Sequence, residues 1–210
     1  MTGSESGDPD DAAGGDASAE AAPRHAIVLD YLPHGRADDD RPRYERSPLA
    51  YALDETDFSL YELRFDEEAD VGIDDRVVVS PPEARTDVDG IREVDYDDIS
   101  NGAHAELEYV VADLVDADEA RFVNFFNEAQ PITLRLHQLN LLPGIGKKLR
   151  NNVLDERKRG PFESFEDLEE RVSGLHNPRQ VLVDRILEEI RDEDLKYKAF
   201  ARRDRSGSGE

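Results

Sequence analysis

The sequence predicts an α+β protein, with a small N-terminal β-barrel followed by an all-α C-terminal domain. Two observations predict this class. Between residues 24 and 100, short apolar runs alternate with turn residues, which is typical of small all-β domains. From residue 101 onward, apolar residues recur at the spacing of one helix face. With 210 residues, of which 38% are hydrophobic, the chain can build two small cores rather than one large one.

Both ends of the chain are predicted to be disordered. Residues 1–23 carry a net charge of −6 and contain no aromatic residue and no Val, Ile or Leu. A segment of this composition cannot bury enough apolar surface to offset the entropy lost on ordering. We predict the same for residues 204–210, which leaves residues 24–203 as the folded part.

Four clear strands and a weaker fifth are predicted between residues 24 and 100. They cover residues 27–31, 49–53, 58–65, 77–79 and 91–94. Turn signals rich in Gly, Pro and Asp separate these runs, for example at Gly35 and Pro81. Because a sheet that closes on itself has no exposed edges, we expect these strands to form a small barrel.

Two connecting helices are predicted over residues 101–130. The apolar stripe of the first helix consists of Leu107, Val110, Val111, Leu114 and Val115. Either Asp116 or Asp118 can cap the second helix, which must end before Pro131.

Residues 131–203 are predicted to form the all-α domain. Helical structure is expected from Ile132 onward and up to about Phe200. Within this stretch Ser164, followed three residues later by Asp167, is typical of a helix N-cap.

The charge composition indicates the cytoplasm of a halophile. The formal net charge is −24, from 28 Asp and 22 Glu against 21 Arg and only 5 Lys. Concentrated salt shortens the Debye length to about 3 Å, so such a surface costs little in self-repulsion and keeps the protein soluble. The absence of cysteine excludes disulfides, thiolate metal sites and cysteine nucleophiles. No apolar stretch is long enough to span a membrane, and we expect a monomer.

Positive charge is concentrated in one stretch of the chain. Residues 24–130 carry a net charge of −19, whereas residues 135–159 carry +5 and include three of the five lysines. An ordinary solvated helix face is the alternative explanation. Because the rest of the chain avoids cations, this stretch indicates a binding surface.

The most informative segment lies within that stretch. It reads Leu142-Pro143-Gly144-Ile145-Gly146-Lys147-Lys148. Its two glycines allow positive φ and a close approach of the backbone to a ligand, while Ile145 is expected to pack in the core. The N–H groups at the start of the following helix form an anion site, for which phosphate is the natural ligand. Lys147, Lys148 and Arg150 are expected to reach flanking phosphates.

A second candidate contact lies in the barrel, at Arg41, Arg43, Tyr44 and Arg46. This cluster of arginine and tyrosine interrupts an acidic domain and is predicted to grip a nucleic-acid backbone. A solvated loop neutralised by its own aspartates is the alternative. The barrel aromatics either stack on bases or fill the core; they are Tyr44, Tyr51, Phe58, Tyr61 and Phe65.

The glycine segment, with its trailing lysines, resembles the hairpin of a helix-hairpin-helix nucleic-acid-binding motif. Elements of the same pattern continue downstream, at Arg157, Gly160-Pro161-Phe162, Ser164-Phe165, Asp167-Leu168 and Val172. A second hairpin, around residues 174–178, lacks the Gly-x-Gly and is expected to pack rather than bind.

After residue 24 the chain is similar over nearly its whole length to the archaeal domain-of-unknown-function family 655. The stretches that carry the resemblance are residues 100–107, 122–129, 131–146 and 161–172. The resemblance implies an N-terminal OB-like barrel, a C-terminal helix-hairpin-helix region and nucleic-acid binding. The acidic N-terminal tail has no counterpart in that pattern.

Enzymatic interpretations have little support in the sequence. The five histidines lack the spacing of a metal site. Helix-hairpin-helix glycosylases place a catalytic aspartate beyond the hairpin, where this chain has Ser164. We therefore expect no catalytic residue, no cofactor and no bound metal.

We predict a non-enzymatic protein that binds the phosphate backbone of RNA or DNA, with RNA slightly favoured, through the hairpin amides of Gly144, Ile145 and Gly146. One alternative is an adaptor whose acidic barrel docks on a basic ribosomal or transcription protein. A repair or processing enzyme is the other alternative.

Overall fold

The computed structural model describes residues 22–36, 42 and 46–201. Within them, a curled, five-stranded antiparallel sheet forms a half-barrel that is followed by five α-helices. The predicted α+β class is thereby confirmed. The predicted tails lie outside the described residues, apart from residues 22 and 23, and so do Arg41, Arg43 and Tyr44.

Each of the five predicted apolar runs contains a strand. The strands are β1 (Arg24–Leu32), β2 (Leu49–Asp54), β3 (Leu60–Phe65), β4 (Arg76–Ser80) and β5 (Val88–Val94). Their order in the sheet is β4-β1-β2-β3-β5, and every neighbouring pair is antiparallel.

The sheet curls without the closure that the sequence predicts. This order and pairing make β4 and β5 run in the same direction, and residues 81–87 connect them. Parallel neighbours need a crossover of about a dozen residues or more, which this connection is too short to provide. The two strands therefore remain the edges of the described sheet. Charged residues on β5, including Asp89 and Glu93, protect one edge against pairing with another chain.

The helices are α1 (Asn101–Ala117), α2 (Glu119–Glu128), α3 (Lys147–Arg157), α4 (Phe165–Arg171) and α5 (Pro178–Arg191). Asp118, rather than Asp116, caps α2 by accepting the N–H of Arg121 at 3.3 Å. Asp116 instead pairs with Arg179 of α5, and this hydrogen bond lowers the pKa of the carboxyl. Ser164 caps α4 as predicted and accepts the N–H of Asp167 at 3.1 Å.

The predicted helix from Ile132 is wrong for residues 131–137. These residues form a turn closed by a β-bridge between Pro131 and His137. The Thr133 hydroxyl accepts the N–H groups of Arg135 (3.2 Å) and Leu136 (3.0 Å), so a local side-chain acceptor replaces the helical one. A short 3-10 helix, Gln138–Leu141, follows.

Helical structure also ends earlier than predicted, at Arg191 rather than near Phe200. The Asp192 carboxylate accepts the N–H of Asp194 at 3.0 Å and starts a turn. The chain beyond it is held by Glu189 of α5, whose fully buried carboxylate accepts the N–H groups of residues 199–201 at 2.8–3.0 Å.

Two apolar clusters are present, as expected, but the sheet itself divides them. The smaller cluster lies inside the curl and includes Val28, Leu63 and Phe65. The larger one begins on the other face of the sheet and continues without a break through all five helices. It therefore crosses the predicted boundaries at residues 100 and 130, and α1 packs against both β1 and α5.

Three of the candidate stacking residues serve the core instead. Tyr51, Phe58 and Phe65 are each at most 3% exposed. Tyr61 is half-buried, and burial raises its pKa to about 12. No helix in the described part of the chain is both long and apolar enough to cross a membrane.

Candidate nucleic-acid interface

The predicted hairpin joins the 3-10 helix to α3. Gly144 adopts a φ of +78°, in the left-handed region that favours glycine. The Ile145 N–H donates to the Leu142 carbonyl at 3.2 Å and closes the turn. Leu142 and Ile145 are buried, as predicted for Ile145, whereas Pro143, Gly144 and Gly146 are exposed. Two aliphatic side chains thus anchor a turn whose glycine backbone faces solvent.

Asn140, which the sequence analysis missed, braces this hairpin from inside. Its side-chain amide donates to the Ile145 carbonyl at 3.0 Å, and its Oδ1 accepts from Nη1 of Arg150 at 3.1 Å. Arg150 also donates to Asn151 through Nε and Nη2. Arg150 was expected to reach a phosphate, but it is engaged within the hairpin. No sequence pattern marks Asn140, because its two partners lie five and ten residues away.

The first turn of α3 has free backbone donors. Gly146 is the N-cap residue and provides no side-chain acceptor. The N–H groups of Lys147, Lys148 and Leu149 have no acceptor among the described residues. A Cβ placed on Gly144 or Gly146 would meet nothing within 4 Å, so the approach is open. With the positive end of the helix dipole, this arrangement suits an anion.

The structure separates the cations of the basic stretch into two groups. Lys147 and Lys148 are exposed and make no ion pair with a described residue, and Arg135 is likewise exposed on its turn. The remaining cations bond to other groups of the protein. Arg157 donates through Nη1 to the carbonyls of residues 126, 127 and 129 at 2.8–3.1 Å and closes the end of α2.

Lys158 and Arg159 pair within their own helical turn. Lys158 bonds Asp155 at 2.7 Å, and Arg159 bonds Glu156 at 2.8 Å. These surface pairs contribute little to stability. They remove two of the seven positive charges from the candidate surface, which is therefore concentrated at the hairpin.

The second hairpin, between α4 and α5, repeats the glycine turn of the first. Gly174 has a φ of +91°, and the Leu175 N–H donates to the Val172 carbonyl at 3.0 Å. Its helix start is filled, however. Asn177 caps it by accepting the N–H of Gln180 at 3.2 Å, and Pro178 has no N–H.

The two hairpins pack against each other. The Asn152 side chain of α3 donates to the Ser173 carbonyl at 3.0 Å, and a Cβ on Gly174 would lie 3.9 Å from Leu149. The second hairpin therefore supports the helix that carries the first.

Arg46 is the described member of the barrel cluster. Its Nη1 donates to the Arg36 carbonyl at 3.0 Å across the base of the loop. Arg41, Arg43 and Tyr44, the other members of this cluster, lie outside the described residues.

His137 has a structural role next to the hairpin. Its Nδ1 accepts the N–H of Leu139 at 3.2 Å and caps the 3-10 helix. Burial, together with the charges of Arg150 and Arg157, lowers the pKa of this imidazole, which keeps it neutral and able to accept. Within the described ranges, no group of three His, Asp or Glu residues is arranged to hold a metal ion.

Comparisons with a family model, a related protein and a solved structure all point to one protein family. The family described as "Protein of unknown function (DUF655)" matches residues 22–202. An uncharacterized protein of Methanocaldococcus jannaschii is 39% identical over 180 residues, which are 85% of this chain and 79% of the relative. A DUF655 crystal structure from Archaeoglobus fulgidus is 42% identical with a TM-score of 0.77, covering 85% of this chain and 99% of that one. From residue 22 to residue 202, this chain belongs to the DUF655 family.

Proposed function

We propose that this protein binds nucleic acid through its phosphate backbone at the first hairpin and catalyses no reaction there. The observation that carries the proposal is the open start of α3. Three N–H groups without an acceptor among the described residues and two exposed lysines lie together, in a chain of net charge −24. A phosphate oxygen supplies the acceptors that these donors lack.

The fold supports the same proposal at a finer level. We interpret the curled sheet as an OB-like barrel, since β1, β2 and β3 form a meander that β4 and β5 flank. The two hairpins, each with a positive-φ glycine and a buried aliphatic residue, fit a tandem helix-hairpin-helix region. The acidic composition fits the cytoplasm of a halophilic archaeon, and RNA remains the slightly favoured ligand.

In concentrated salt, the affinity must come from short-range contacts. Counterion release contributes little there, because the salt already present in solution opposes it. Hydrogen bonds from Lys147 and Lys148 amides to phosphate persist under these conditions. Since phosphate contacts carry no base information, we expect weak sequence preference.

Gly146→Asp is the sharpest test. At its φ of −77° the new carboxylate can cap α3, so stability should rise by a few tenths of a kcal/mol while the anion site is filled. We expect fluorescence anisotropy with labelled single-stranded RNA, single-stranded DNA and duplex DNA to show binding by the natural chain and none by this variant. The double variant Gly144→Asp/Gly146→Asp should also not bind.

The matched control is Asn177→Asp. It adds the same charge at the N-cap position of the second hairpin, where the amides are already capped. We expect binding close to that of the natural chain. Retained binding by Gly146→Asp, or an equal loss in both variants, would contradict the proposal. Lys147→Gln/Lys148→Gln should weaken binding about two- to threefold at high salt.

A protein-adaptor function is the second candidate, favoured by one acidic surface. Asp66 is fully exposed, yet a hydrogen bond with Asp89 and the charges of Asp89, Asp87 and Glu68 raise its pKa. Carboxylates this crowded would attract a basic partner. A pull-down of a basic ribosomal or transcription protein that survives nuclease treatment, but is lost in Asp66→Asn/Asp89→Asn, would support the adaptor.

A further inference from the structure

Three cross-strand rows of side chains lie on the helix-facing side of the sheet, across β2, β3 and β5. The strand register places Leu53, Leu60 and Val94 in the first row, which is buried against the helices. The second row consists of Tyr51, Glu62 and Arg92, and the third of Leu49, Arg64 and Gly90. The face therefore changes from apolar to charged within two rows.

Where the helices no longer cover the sheet, these rows border an open groove of about 380 Å³. It is lined by Gly35, Arg36, Ser47, Leu49, Glu62, Arg64 and Arg92. The described lining thus contains three arginines and one carboxylate, that of Glu62. We call this feature the arginine groove.

Two of the three arginines form ion pairs with Glu62. Its side chain is nearly buried, and it pairs with both Arg36 and Arg92, the latter at 3.3 Å. A buried carboxylate requires such partners. Arg64 has no such explanation, because it is exposed, makes no ion pair with a described residue and extends beside Gly90.

Other arginines of the barrel are matched differently. Arg24 pairs with both Asp54 and Asp57, and Arg76 makes two hydrogen bonds to Glu55, at 2.6 and 2.9 Å. Each of these cations faces at least one full negative charge. In a segment of net charge −19, three arginines that line one groove, with Arg64 exposed and without an ion pair to a described residue, suit a negatively charged partner.

We propose that the arginine groove is a second phosphate-binding site, which takes a phosphodiester group of the nucleic acid. This inference rests on the proposed function and extends it from the hairpin to the barrel. The planar guanidinium matches two phosphate oxygens at once. None of the described lining residues is aromatic, so we expect the groove to take the backbone rather than a stacked base.

The test compares Arg64→Gln with Arg76→Gln. Both remove one positive charge from the half-barrel, but Arg76 lies on β4, at the far edge of the sheet from the groove. The probe is a labelled RNA of about 20 nucleotides, longer than one site of about 4–16 nucleotides. We expect Arg64→Gln to lower affinity about three- to tenfold and the salt slope by about one, with Arg76→Gln within about twofold of the natural chain.

Equal affinities for the two variants would overturn the inference. So would a polyglutamate of matched charge displacing the RNA as well as unlabelled RNA does, because the groove would then recognise carboxylates of an acidic protein. Circular dichroism and thermal melts of both variants verify the fold. Arg64→Lys, which keeps the charge, should recover part of the lost affinity.

Measuring Gly146→Asp in the same series separates this inference from the proposed function. A loss in Gly146→Asp with none in Arg64→Gln leaves the hairpin site and removes the groove. A loss in Arg64→Gln with none in Gly146→Asp keeps the groove and removes the hairpin. If the natural chain binds neither RNA nor DNA, both proposals fail.

Discussion

The two hairpins of the helical region share a glycine turn and differ in how the following helix begins. Each has a glycine at positive φ, Gly144 or Gly174, followed by a buried aliphatic residue whose N–H closes the turn. The following helix then begins after Gly146 in the first hairpin and after Asn177 in the second. The first N-cap has no side-chain acceptor for the amides, whereas in the second Asn177 accepts the N–H of Gln180.

Under the proposed function, packing and binding use separate parts of the same turn. A side-chain cap typically contributes about 1 kcal/mol, which the first hairpin forgoes and the second keeps. The aliphatic anchor is common to both, since both must pack. The open amides are what the first hairpin has in addition, together with Lys147 and Lys148.

The largest expected effect is a loss of stability that is similar in both hairpins. Ile145→Ala and Leu175→Ala each remove a side chain that is at most 4% exposed, and each should cost about 2–4 kcal/mol of unfolding free energy. Urea denaturation of both variants measures this. A large loss at only one position would show that the two turns are not equivalent in packing.

A smaller effect is expected from alanine at the positive-φ glycines. Gly144→Ala and Gly174→Ala should each cost about 1 kcal/mol, because alanine disfavours this backbone conformation. The RNA affinity should fall in Gly144→Ala and stay unchanged in Gly174→Ala. Thermal melts should verify that both variants are folded. Equal RNA affinities of the two folded variants would contradict a functional difference between the turns.

Alanine at the two N-caps should separate the hairpins further. Asn177→Ala loses a capping hydrogen bond and should cost about 1 kcal/mol, whereas Gly146→Ala should cost only a few tenths. Gly146→Ala should still bind RNA, since it leaves the amides open. Thermal melts and anisotropy test both statements, and loss of binding in Gly146→Ala would show that the glycine matters for more than its missing cap.

The smallest effect is a pH dependence confined to the first hairpin. Because the pKa of His137 is lowered by folding, the unfolded chain binds more protons, so this stability is complete above the unfolded value of about 6.5 and is lost as pH falls through the folded pKa. Amide hydrogen exchange should show residues 138–146 loosening in mild acid while residues 172–177 do not. His137→Asn, which keeps a capping acceptor, should abolish this difference.

Local patterns predicted most of the fold. The five apolar runs contain the five strands, and the stripe from Leu107 to Val115 marks α1, because strand and helix periodicity depend on neighbouring residues. Residues 131–137 were wrongly predicted as helical, because the Thr133 hydroxyl and a bridge across the turn decide their conformation.

The sequence predicted the hairpin turn, but it did not predict which of the nearby cations are hydrogen-bonded within the fold. The Gly-x-Gly spacing indicates an anion site without any knowledge of packing. Arg150 was predicted to reach a phosphate and Arg157 belongs to the same basic stretch, but their hydrogen bonds to Asn140 and to the end of α2 follow only from the tertiary structure. Charge along a chain does not show which cations are already hydrogen-bonded by distant residues.

By itself, the sequence determined the α+β class, the positions of the strands, and a glycine turn before a basic helix. These follow from the spacing of side chains and from the φ angles that glycine allows. Tertiary structure alone decided that the sheet stays open, that one core joins the half-barrel to the helices, and that Arg36, Arg64 and Arg92 share a groove. Strand register brings together residues up to 56 positions apart, and no local pattern encodes that pairing.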